Sequence, residues 1–180
     1  MSNTIVIYFS HSANDRTFEG PTARAKGNTE IAAEAIRDAL GCDIFRVELH
    51  DKYKGMAWYV NREILRKTMR GKIEAKHYID SIHKYDNVFI CGPCWWGTYP
   101  AVIFSQIKKL KFKGKKVMCL VTHEGIDPDG CIKDIQKKIR GAKFGSNFII
   151  LGVDVYTQLQ RIIRWASVET GVQSRSHVHE

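Results

Sequence analysis

A chain of 180 residues with 44% hydrophobic and 26% charged positions is long enough for one domain with a packed core, which excludes general disorder. No apolar run approaches the roughly 20 residues of a membrane helix, and Met-Ser-Asn-Thr leads into an apolar strand pattern without a secretory signal, so a cytoplasmic protein without a membrane partner is expected. The net charge of +9 is compatible with an acidic partner, and five cysteines, an odd number at buried-looking positions, fit a reducing compartment better than a disulfide framework.

The first apolar run covers residues 5–9 and is rich in β-branched side chains, which predicts a strand. A long loop follows, from Ser10-His11-Ser12 to Gly27-Asn28-Thr29-Glu30, with a polar stretch at 13–26 that contains Gly20-Pro21. Ile31, Ala32, Ala35, Ile36 and Ala39 recur at helical spacing, and a second strand run occupies 44–49. Arg62, Arg66, Lys67, Arg70 and Lys72 lie along a predicted basic helix before the third strand run at 88–91. A second basic stretch, 108–116, precedes the fourth run at 117–121. Neither stretch carries a nucleic-acid motif, so both read as solvated basic faces. Ile132, Ile135 and Ile139 mark a helix, 148–153 a fifth strand run, and Leu159, Ile162, Ile163 and Ala166 a last helix. The polar tail from 171 to 180 is expected to fray. Runs that are apolar without strict alternation belong to strands covered on both faces, and strand-helix alternation at this spacing predicts an α/β domain over 1–170 with a five-stranded parallel sheet.

Ligands in open parallel sheets bind beyond the C-terminal strand ends, so the loops after the first, third and fourth strands matter most. In the first, Gly27 permits close backbone approach, while Asn28 and Thr29 sit beside the unpaired N–H groups of a helix start, suited to a phosphate; Ser10 and Ser12 add hydroxyls. Asn28 or Thr29 as a mere N-cap is the competing reading. In the second, Pro93-Cys94-Trp95-Trp96-Gly97-Thr98-Tyr99-Pro100, two tryptophans suit stacking on a planar heterocycle, or one of them covers the core. In the third, Thr122-His123-Glu124-Gly125 can reach the same ring from the other side.

Cys91-Gly92-Pro93-Cys94 also has the spacing of a redox dithiol. A reactive thiolate there needs exposure and a helix start, yet Cys91 ends an apolar strand run and no helix can begin before about Pro100. The Trp-Trp half of the segment is therefore the better candidate for chemistry.

Taken together, Ser10-His11-Ser12 with Gly27-Asn28-Thr29-Glu30, then Pro93 with Trp95-Trp96-Gly97-Thr98 and Pro100, then Thr122-His123-Glu124-Gly125, resemble the flavodoxin family over residues 4 to about 166. The nearest likeness is to a bacterial branch with an extra segment before Gly-Asn-Thr-Glu. The resemblance implies a flavodoxin-like three-layer sandwich with strand order 2-1-3-4-5 and non-covalent FMN. Carried over by position, Ser10, Ser12, Asn28 and Thr29 would hold the phosphate, with His11 and Gly27 also among the cofactor-binding residues. Pro93, Cys94, Trp95, Trp96, Gly97 and Thr98, with Thr122, His123, Glu124 and Gly125, enclose the ring. The chain departs from the branch after Gly125, where Ile126-Asp127-Pro128-Asp129-Gly130 replaces small residues such as Ser-Gly.

The resemblance implies electron transfer to a redox partner protein or a small-molecule acceptor, with the flavin as the reactive group and no catalytic side chain or metal. The alternatives are an NAD(P)H-dependent quinone or nitro-compound reductase, a flavin-free binding module, and a thiol oxidoreductase using Cys91 and Cys94.

Overall fold

The structure is a computed structural model and describes residues 3–10, 26–50 and 73–172. The predicted loop insertion up to residue 25, the basic helix at 62–72 and the tail from 173 lie outside the described residues, as do His11 and Ser12. The elements are β1 (Thr4–Tyr8), α1 (Asn28–Leu40), β2 (Asp43–Arg46), β3 (Asn87–Pro93), α2 (Ala101–Ile107), β4 (Lys116–His123), α3 (Asp129–Lys138), β5 (Lys143–Phe144), β6 (Phe148–Leu151) and α4 (Leu159–Thr170).

All strand pairings in the sheet are parallel and run β2-β1-β3-β4, with the position beyond β4 shared by two short strands. Lys143 and Phe144 pair with Lys116 and Val117, while residues 148–151 pair with 120–123. The expected order 2-1-3-4-5 is thus present, but the fifth position is split. The break at Gly145-Ser146-Asn147 wraps the end of α4: Ser146 N–H donates to Glu169 Oε1 at 3.2 Å, Trp165 Nε1 donates to Ser146 Oγ at 2.9 Å, and Lys116 Nζ pairs with Glu169 Oε2 at 2.9 Å. An apolar run read from 148 onward could not reveal β5, which contributes two residues to the ladder.

Because side chains alternate across a pleated strand, each central strand feeds two cores. Ile5, Ile7, Val88, Ile90, Val117, Cys119 and Val121 meet α2 and α3 on one face. Val6, Tyr8, Phe89, Cys91, Met118 and Leu120 meet α1 and α4 on the other. This two-sided burial is why the strands carry apolar residues at successive positions. Ile36 of α1 and Ile162 of α4 are fully buried, and each such side chain contributes roughly 1.5–3 kcal/mol.

The helices carry the loops of interest to one end of the sheet, beyond the C-terminal ends of β1, β3, β4 and β6. The exposed Lys108, Lys109, Lys111 and Lys113 precede β4 and lie at its opposite end. Among the described residues no helix is long and apolar enough to cross a membrane.

Candidate functional site

The first strand ends beside the start of α1. Ser10 is buried, and its Oγ accepts the Glu30 N–H at 3.1 Å, which satisfies one first-turn donor and leaves the serine O–H proton for a ligand. The Ile31 N–H goes to the Gly27 carbonyl at 3.1 Å. The N–H groups of Asn28 and Thr29 are the remaining donors of that turn, at the positive end of the helix. Asn28 is half-buried, and its side-chain amide lies against Gly152.

Thr29 behaves differently from Asn28. Its hydroxyl is buried and forms a 2.7 Å hydrogen bond with the Thr122 hydroxyl, which ties α1 to the end of β4. Its backbone N–H is what it can still offer to an anion. Glu30, next in sequence, is buried with its Oε1 held by Arg46 Nη1 at 3.0 Å and approached by the Tyr8 hydroxyl at 3.5 Å. Burial, then the Glu30 charge, pushes the Tyr8 phenol up to about 12. Among the described residues, the buried Glu30 Oε2 has no hydrogen-bond partner.

After β3 the backbone makes a tight turn. Trp95 N–H donates to the Thr98 carbonyl at 2.8 Å, and Thr98 N–H returns to the Trp95 carbonyl at 3.1 Å. The two residues between are left-handed, Trp96 at φ 56° and Gly97 at φ 81°. Paired left-handed central residues are the type I′ hairpin geometry, in which glycine is comfortable and tryptophan is not. The two tryptophans therefore have separate fates. Trp95 is half-buried and meets Phe9 edge-on, with ring centroids 5.4 Å apart, so it covers the core. Trp96 is 57% exposed.

Pro93 ends β3 opposite Thr122, and the Cys94 N–H donates to the Thr122 carbonyl at 2.7 Å. Thr98 is buried and donates through Oγ1 to Asp134 Oδ2 at 2.7 Å. Cys94 is buried on the α2–α3 face, whereas Cys91 is wholly buried on the α1–α4 face. The two thiols of the Cys-Gly-Pro-Cys motif thus belong to different cores. Gly92 serves packing, since a Cβ there would lie 2.6 Å from Ile103 and 2.7 Å from the Tyr99 ring. Burial pushes the Cys91 thiol well up. The Cys94 thiol is brought down to about 7, chiefly by hydrogen bonding with Cys131 and secondarily by the Gly97 backbone, against its burial.

In the third loop Thr122 is the hub already described. His123 Nδ1 accepts the Gly125 N–H at 3.2 Å, Glu124 and Gly125 are exposed, and Gly125 is left-handed at φ 98°. The end of β6 completes the enclosure. A Cβ on Gly152 would lie 2.2 Å from Glu124 Oε1 and 2.5 Å from Asn28 Nδ2, so three chain segments meet there. Gly152 was not among the residues singled out from the sequence. The signal lay in Gly-Val-Asp at the close of an apolar strand run, on a fifth loop at the same sheet end.

A doubly wound parallel sheet brings a donor-rich helix start after β1 and an exposed aromatic turn after β3 to the end of the sheet where ligands of such folds bind. The flavodoxin family model matches residues 22–165, and the chain belongs to that family. Among solved structures, a candidate flavoprotein of Bacteroides uniformis is 24% identical with a TM-score of 0.66, over 89% of this chain and 97% of its own. A counterpart from Bacteroides eggerthii is also 24% identical, with a TM-score of 0.64 over 90% and 98% of the two chains. A Lactobacillus acidophilus flavoprotein in complex with FMN is 16% identical, with a TM-score of 0.58 over 92% and 99%. These three likenesses are in fold. No curated protein sequence matches the chain.

Proposed function

We propose that this protein is an FMN-dependent redox protein that passes electrons between a donor and an acceptor through non-covalent FMN. The observation that carries this reading is the pairing, at one sheet end, of the α1 start with an exposed Trp96 held on a strained turn. Strain of this kind in an exposed aromatic residue points to a display role. The residues fit the group: Ser10, Asn28 and the Asn28 and Thr29 N–H groups supply donors for a phosphate dianion, and Trp96 supplies a stacking face. Arg46 offsets the Glu30 charge beside the phosphate donors.

Bound FMN supplies the one- and two-electron chemistry. The chain binds and orients. Ser10 and Asn28 would hold the phosphate end and Trp96 would offer the ring a stacking face, while the Trp95–Thr98 turn fixes the Trp96 backbone and Thr122 ties both loops through its carbonyl and hydroxyl. No proton relay through a side chain is needed. Absorbance of the purified protein, followed by titration with FMN, FAD and riboflavin, tests the reading. FMN is expected to bind tightest, and equal or tighter binding of FAD would overturn the phosphate assignment.

A second reading, direct turnover of NAD(P)H with a quinone or nitro compound, draws support from exposed apolar residues in the same loops. Trp96, Ile126, Val153 and Tyr156 are 57%, 49%, 67% and 53% exposed. Steady-state turnover with NADPH and a quinone separates this reductase from a carrier that needs a partner enzyme. An acidic protein partner would meet the lysines before β4, at the sheet end away from FMN.

The thiol oxidoreductase alternative has little geometric support because Cys91 and Cys94 face different cores. The double variant Cys91→Ser, Cys94→Ser is expected to keep FMN and remain reducible by dithionite, and the parent should not reduce insulin disulfides. Insulin reduction at a thioredoxin-like rate would restore the dithiol reading.

A further inference from the structure

The Trp95–Thr98 turn does not hold its left-handed pair alone; its back is fastened to α3. The Gly97 carbonyl oxygen points at Gly130, where a Cβ would lie 1.9 Å from that oxygen and 3.1 Å from its carbon. One residue on, the Thr98 hydroxyl donates to Asp134 Oδ2 at 2.7 Å. On the other side of the turn the Cys94 thiol donates to the Asp127 carbonyl at 3.6 Å. Asp127 belongs to the segment in which the chain departs from the resemblance. The base is packed into the core, with Cys131 and Ile135 of α3 wholly buried.

We propose that the first two turns of α3 are the positioning element for the Trp96–Gly97 turn, with Gly130 as the contact residue and Thr98–Asp134 as the second tie. This rests on the FMN reading for its functional consequence, though not for its structural content. Segment 126–130 then acts behind the ring-binding turn: it fixes the direction of the Gly97 carbonyl and the tilt of Trp96. Any side chain at 130 must displace backbone, since the atom in its way is a carbonyl of the turn.

The test uses the full chain and three variants: Gly130→Ala, Asp134→Ala, and Lys133→Ala as an exposed control on the same helix. Dissociation constants are measured for oxidised and dithionite-reduced FMN, together with the indole N–H resonance of Trp96 in FMN-free protein. Gly130→Ala is expected to weaken oxidised FMN at least tenfold, to change the oxidised-to-reduced ratio at least threefold, and to move the Trp96 resonance. Asp134→Ala should weaken binding about threefold and move the same resonance, because the lost Thr98–Asp134 bond acts on FMN only through the placement of the turn. Lys133→Ala should alter neither. A general loss of stability would lower both affinities alike and leave their ratio intact, so the ratio isolates positioning. A folded Gly130→Ala protein with both constants within twofold of the parent overturns the proposal. If that variant does not fold, an unmoved Trp96 resonance in Asp134→Ala does so. Should the parent bind no FMN, the FMN reading falls, and an unmoved Trp96 resonance in Gly130→Ala would separately sink the positioning claim.

Discussion

Trp96→Gly is expected to make the FMN-free protein more stable while it loses most of its affinity for FMN. The two effects have separate causes. Trp96 is a non-glycine residue at φ 56°, and a side chain in the left-handed region costs roughly 1–2 kcal/mol that glycine does not incur. Since the ring is 57% exposed, its removal forfeits little burial, and the net gain should be about 1 kcal/mol after the extra chain entropy of glycine. The paired hydrogen bonds between Trp95 and Thr98 are backbone bonds and survive the change. Affinity falls because stacking on an aromatic side chain is worth about 1–3 kcal/mol, or about 5- to 150-fold. Urea melts of the FMN-free protein and a fluorescence titration give both numbers. A lower midpoint would mean the turn is not strained, and a dissociation constant changed less than threefold would remove Trp96 from the site.

Gly152→Ala is expected to weaken FMN about tenfold and leave riboflavin binding unchanged. The new methyl would lie 2.5 Å from Asn28 Nδ2 and 2.2 Å from Glu124 Oε1, so both side-chain ends must swing away. Those ends are movable, and the fold should survive. What is lost is the placement of the Asn28 amide, and a hydrogen bond to a charged group contributes about 1.5–3 kcal/mol. Riboflavin lacks the phosphate, so it serves as the internal control. Equal losses for the two ligands would mean that Gly152 supports the ring rather than the phosphate, and no loss for either would detach Asn28 from binding.

The parts legible in the sequence were those with a repeating or compositional signal. β1, β3 and β4 were visible because two covered faces force apolar residues at successive positions. The turn at 95–98 was visible because two tryptophans before Gly-Thr are rare, although only the coordinates separate Trp95 on Phe9 from Trp96 in the open. β5 was hidden because two residues carry no period. The Thr29–Thr122 bond was hidden because each threonine has an adequate local explanation, as a helix-start residue and a strand end. Gly130 and Gly152 owe their roles to atoms 33 and 124 or 28 positions away in the chain, and a glycine required by a distant neighbour looks like any loop glycine.

The divided strand beyond β4 also bears on how the molecule behaves in a crowded solution. An uninterrupted outer strand would offer its free N–H and C=O groups as a template for another copy. Here that border is cut into pieces of two and four residues, set apart by Gly145-Ser146-Asn147, whose serine is engaged with the carboxylate of Glu169. Lys143 adds a charge to the shorter piece. Among the described residues this border therefore offers another copy no long template, and the break that shortens it is the one that anchors the last helix.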